Sequence, residues 1–125
     1  MNVPLLVAAL LAILVGIAHS LLGERNILEP LLRLQDLPAI RGNRDYMGWT
    51  LRAAWHLTSV FIFGMAALLA KTSVAAPFRD SATVRLISLT FFSAGFITLA
   101  ITRGRHFAWI MFFLIATLAW IGSNK

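Results

Sequence analysis

Apolar residues gather into four runs separated by short polar stretches. The first covers residues 3–22 and carries no charge, its notable polar groups being His19 and Ser20. The second, residues 50–70, is interrupted early by Arg52 and His56. The third, 82–102, holds Arg85 near its start, and the fourth, 106–122, opens on His106. At a rise of about 1.5 Å per residue, such runs cross about 30 Å of hydrocarbon when their flanking Arg, His and Trp side chains reach for the headgroups. They are too long and too uninterrupted for barrel strands, and lipid offers no water to backbone groups, so helices remain. The expected fold is all-α: one polytopic membrane domain over residues 1–125, with four transmembrane helices in two antiparallel hairpins.

The segment between the first two runs has a pattern of its own. Over residues 26–37, Ile27, Leu28, Leu31, Leu32 and Leu34 alternate with Glu29, Arg33 and Asp36, following Arg25. Glu29 and Arg33 are spaced for a favourable i,i+4 pair. The spacing predicts a short amphipathic helix on the membrane surface, stopped by Pro38 and followed by a turn at Arg41–Gly42–Asn43. Within the first run, Ala8, Ala12, Gly16 and Ser20 recur every four residues, with Gly23 following. Small residues let helix backbones approach closely in lipid, so this face is expected to be a helix contact. Ser88, Gly95, Thr98 and Thr102 make a second such face in the third run.

Composition sharpens the class. Hydrophobic residues make up 59% of the chain and charged ones 13%, far from the balance of a soluble domain. No cysteine is present, which excludes disulfides, thiolate metal sites and a cysteine nucleophile. The net charge is +6, with eleven basic residues against five acidic ones. Seven of the basic residues, Arg25, Arg33, Arg41, Arg44, Arg52, Arg103 and Arg105, flank one side of the expected bundle; Lys71, Arg79, Arg85 and Lys125 flank the other. The positive-inside rule then puts both termini outside the cytoplasm, in a bacterial inner membrane. Trp49, Trp55 and Trp109 near the inner interface, and Trp120 near the outer one, fit an aromatic belt. Ala18–His19–Ser20 loosely resembles a cleavage site, but no basic residue precedes the run and the run is long, so a retained helix is expected.

Candidate chemistry collects at one end. His19, Glu24, His56 and His106 all fall near the expected cytoplasmic interface. Three imidazoles and a carboxylate are the donors of a zinc, iron or copper site, and two histidines on neighbouring helices could hold a b-type haem. Arg52, Arg103 and Arg105, with Trp55 and Trp109, could face propionates, an anionic headgroup or a phosphorylated substrate. No compact metal motif such as H-E-x-x-H is present. The bland alternative is that these residues anchor and pack, with Arg52 and Glu24 pairing to tie the first helix to the second.

The leading expectation is therefore a membrane protein whose polar site opens at the cytoplasmic face and binds a transition metal or haem. The competing expectations are a non-catalytic accessory or assembly subunit of a larger membrane complex, and a small-solute transporter acting as a dimer. No Asp or Glu lies within any run, which lowers proton-coupled transport. The arginines are scattered over membrane-flanking segments, which argues against nucleic acid as a partner. Beyond the lipid bilayer, the expected partners are further copies of the chain or a larger complex.

Overall fold

The structure, a computed structural model, describes residues 1–34, 36, 39, 42–74 and 80–124. It is helical, with no strand among the described residues. Helix α1 spans Val3–Gly23, continues through a π-helical turn at Glu24–Leu28 and ends as α2, Glu29–Leu32. Helix α3 spans Arg44–Val74, α4 spans Ser81–Thr102 and α5 spans Ala108–Ser123.

The helix ends follow local chemistry. Asn2 caps α1 by accepting a hydrogen bond from the Leu5 amide, with proline in the first turn where its missing N–H costs nothing. Asn43 does the same for α3 through the Tyr46 amide. Asp80 caps α4, accepting from the amides of Ala82 and Thr83. At the other end of α4, Arg103 turns left-handed (φ 51°) and the Gly104 amide reaches back to the Leu99 carbonyl, closing a Schellman-type stop.

Three helical stretches, Val3–Leu32, Arg44–Val74 and Ser81–Thr102, are long and apolar enough to cross a membrane. The fourth apolar helix, α5, has 16 residues and measures about 24 Å, short of a full hydrocarbon layer. The expected surface helix over 26–37 takes a different form. Its first half is continuous with α1, and helix ends at Leu32; residues 35, 37 and 38 lie outside the described residues. The physical reason lies at Pro30, which has no N–H to give and whose ring crowds the carbonyl four residues back. The backbone widens just ahead of it, with the Glu29 amide bonded to the Glu24 carbonyl, five residues back. The expected Glu29–Arg33 pair forms, at 3.5 Å.

Helix α1 packs on α3 and on α5, and α4 packs on α5, while α3 and α4 touch only lightly. Neighbours run antiparallel, as the contacts His19–Ser59 and Glu24–Arg52 on one pair, and Ser88–Ala116 and Gly95–Phe113 on the other, require. The core is small and fine-grained: Leu5, Ala8, Ala9 and Ala12 of α1 meet Ala66 and Leu69 of α3, Ile87 and Phe91 of α4, and Ile115, Ala116 and Ala119 of α5. Both small-residue faces are helix contacts. Gly16 lies against Phe63, Gly95 against Phe113, and Gly122 against Leu5. Ser88 is buried and donates to the Ala116 carbonyl at 2.7 Å, whereas Thr98 and Thr102 bond to their own helix. The large apolar side chains face outward instead: Leu10 and Leu14 on α1, Val60 and Phe61 on α3, Phe92 and Phe96 on α4. Small residues at the close helix contacts, with many large apolar side chains turned outward, suit a helix bundle packed in lipid.

The end of the bundle that holds the chain's N-terminus is tied by Asn2. Its side chain donates to the Gly122 carbonyl at 2.8 Å, and its backbone amide donates to the Ser73 carbonyl at 2.7 Å, so one residue joins α1, α3 and α5.

Candidate functional site: a polar clasp between α1 and α3

At the opposite end, α1 and α3 exchange a ladder of polar contacts. One rung is His19 with Ser59, whose Nδ1 and Oγ lie 3.0 Å apart. The next is Ser20 with His56, at 2.8 Å. The last is Glu24, which accepts from Arg52 Nε at 2.7 Å through one oxygen and meets His56 Nε2 at 3.2 Å through the other. The registers match because an antiparallel pair sets one helical turn of α1 (Ser20 to Glu24) against one turn of α3 (Arg52 to His56).

Trp55 fills the space between the rungs. Its indole stacks on the His19 ring, with centroids 4.5 Å apart and planes 6° from parallel. Its Nε1 donates to the His19 carbonyl at 2.9 Å. The flat ring fits there because Gly23 has no side chain; a Cβ at that position would overlap the indole. Gly23 therefore belongs to the clasp as much as the polar residues do.

The protonation pattern follows from the partners. An ionised Glu24 accepts only, so His56 Nε2 carries a proton and donates to it. In the neutral ring Nδ1 then accepts from the Ser20 hydroxyl. Hydroxyl, imidazole and carboxylate thus stand in the order of a nucleophile with its base and orienting group. The second requirement of acyl transfer is a pair of free N–H groups near the hydroxyl, and Ser20 lies inside α1, where backbone N–H groups are spent on the helix.

Of the residues singled out from the sequence, His19, Glu24, Arg52, Trp55 and His56 come together. Among the described residues, His106 forms no hydrogen bond or ion pair with them: it lies exposed in the α4–α5 turn, where its Nδ1 accepts from the Ala108 amide, the first of α5, at 3.1 Å. Arg103 and Arg105 are exposed in the same turn. Trp109 donates to the Gly104 carbonyl at 3.3 Å, bracing that turn. Ser20, Ser59 and Gly23 are the members the sequence reading did not assign to chemistry. Ser20 and Gly23 were legible only as small residues on a packing face, and Ser59 had no signal beyond lying three residues after His56.

Among the described residues, no three His, Asp or Glu side chains are placed to hold one metal ion. His56 has both ring nitrogens engaged, and His19 has Nδ1 engaged. No protein-family model, curated protein or solved structure matches this chain.

Proposed function

We propose that the chain is a four-span integral membrane protein of a bacterial inner membrane, acting as a non-catalytic subunit or assembly partner in a larger membrane complex. The polar cluster is its internal fastening, holding α1 to α3 at the cytoplasmic face. The observation that carries this reading is that the serines, His56 and Glu24 are spent on one another across the α1–α3 contact. Both ring nitrogens of His56 and both oxygens of Glu24 are engaged, Arg52 joins through Nε, and a ligand site would leave these groups pointing at a guest. The outward array of large apolar side chains supports placement in lipid. In this reading α5 completes the fourth crossing with help from its flanks, Arg105 and His106 at one end and Trp120 at the other.

The metal or haem reading from the sequence makes the opposite prediction, so one purification separates them. The detergent-solubilised protein is expected to show no Soret band and no stoichiometric zinc, iron or copper, and His56→Ala is expected to lower its unfolding temperature. A Soret band, or bound metal that is lost in His19→Ala or His56→Ala, would replace the fastening by a ligand site.

A further inference from the structure

The clasp end carries a second feature, a groove that the clasp does not use. Helix α3 has 31 residues and measures about 46 Å, well beyond a hydrocarbon layer of about 30 Å. Its stretch free of charge and histidine begins at Leu57, so Arg44–His56 runs through the headgroup zone on the membrane-spanning reading above. The α1 extension to Leu32 rises beside it. Between them lies a groove of about 190 Å³ lined by Leu32, Arg44, Asp45, Gly48, Trp49 and Arg52.

The order of these residues along α3 is informative. Arg44, Gly48 and Arg52 are spaced by four and so share a face, and the glycine leaves a gap between the two guanidinium groups. Leu32 packs over Gly48 and forms the apolar floor. Asp45 and Trp49 form the adjacent row. Arg52 gives Nε to Glu24, and among the described residues nothing accepts from its two terminal nitrogens. Among the described residues, Arg44 and Asp45 take part in no ion pair. Trp49 is 63% exposed, an indole at the rim of the groove. The groove therefore offers separated cationic donors, one carboxylate and one aromatic face. With Glu24 and Asp45 against Arg44 and Arg52, its formal charge is balanced, which suits a zwitterion better than a bare anion.

We propose that this groove binds the headgroup of a zwitterionic, primary-amine phospholipid. The phosphodiester sits between Arg44 and Arg52, where guanidinium groups donate to phosphate oxygens. The ammonium group lies against the Asp45 carboxylate and the Trp49 ring, which take a cation by charge and by the ring quadrupole. The acyl chains continue down the apolar outer surface.

The test uses the full chain purified in detergent and titrated with phosphatidylethanolamine, phosphatidylglycerol and phosphatidylcholine of identical acyl chains, with bound lipid counted by native mass spectrometry. Phosphatidylethanolamine is expected to bind about tenfold more tightly than the other two, the worth of one charge-assisted hydrogen bond. Asp45→Asn is expected to erase that preference while leaving phospholipid binding in place. Arg44→Gln is expected to weaken all three lipids, and Gly48→Leu to fill the groove and do the same. Arg25→Gln, outside the groove, is the control and should change nothing. Equal binding of the three lipids, or a preference unmoved by Asp45→Asn, would overturn the proposal. So would inorganic phosphate or glycerophosphoethanolamine competing as well as the lipid, because the occupant would then be a soluble phosphate compound. Flotation of the same protein with vesicles keeps the two readings apart. A chain that fails to float contradicts the spanning reading, whereas one that floats without headgroup preference contradicts only the groove.

Discussion

Trp55 owes its position to a residue with no side chain. The indole can lie flat on α1 only where Gly23 leaves the backbone bare, and from there it reaches the His19 ring and carbonyl. Gly23→Ala should therefore act as an overpacking change, costing about 1–3 kcal/mol because the ring must move and abandon both contacts. Thermal unfolding in detergent reads this loss. The same substitution in a Trp55→Ala background should cost much less, since the obstacle has gone. The pairing of Glu24 with Arg52 was legible in the sequence, because opposite charges at the ends of two expected neighbours have an obvious use for each other. The serines were not, because a serine in an apolar helix bonds to its own backbone as readily as to a neighbour, and only the register of α3 decides which. Thr58 and Ser59 illustrate this: Thr58 bonds to the Ala54 carbonyl, while Ser59, one position on, reaches His19.

At the level of single helices, hydropathy located the apolar helices well and their ends less well. The third run, residues 82–102, nearly coincides with α4, because Asp80 and the Arg103–Gly104 turn punctuate it. The second run understated α3, which extends six residues earlier, to Arg44, and four later, to Val74, since polar residues continue a helix once its apolar part is anchored. The separate surface helix failed for a related reason. Pro30 is incompatible with a regular α turn, yet a π turn absorbs it and the helix carries on to Leu32. Caps give a pH-dependent prediction. The Thr83 hydroxyl, with the amides of Ala82 and Thr83, holds the Asp80 carboxyl below the usual aspartate range. A depressed folded value means that the cap's contribution is complete above the ordinary aspartate range and is lost as pH falls through the lowered value. Protection of the Ala82 and Thr83 amides, relative to their intrinsic exchange at each pH, should fall across that acidic window, and Asp80→Asn should flatten the dependence while retaining a neutral cap. Unchanged pH dependence in the variant would remove Asp80 as the cause.

The bundle is fastened at both ends by polar contacts and packed between them by small residues. Asn2 joins three helices at one end, and the clasp joins two at the other. The all-helical class and the packing role of the Ala8–Ala12–Gly16 stripe could be read from the sequence, because both rest on period and residue size. The convergence of three histidines could not be settled that way: depth along a helix says nothing about which way a ring points, and the His106 ring accepts from the first amide of α5. Membrane orientation offers a direct test, helped by a chain that contains no cysteine. If the proposed topology holds, single cysteines at Asn43 and Asn124 should react with an impermeant thiol reagent from opposite sides of the membrane, Asn124→Cys in intact cells whose outer membrane has been permeabilised, Asn43→Cys only once the cytoplasmic face is opened. Labelling of both from one side would refute the three crossings between them.

The most direct measurement of the clasp is a double-mutant cycle between Ser20 and His56, read as unfolding free energy in detergent. If the two side chains fasten α1 to α3, then Ser20→Ala and His56→Ala should each destabilise the protein, and the double variant should lose less than the sum, with a coupling of about 0.5–3 kcal/mol. Strictly additive losses, or single variants as stable as the parent, would mean that the helices do not depend on this bond and that the polar cluster exists for something else.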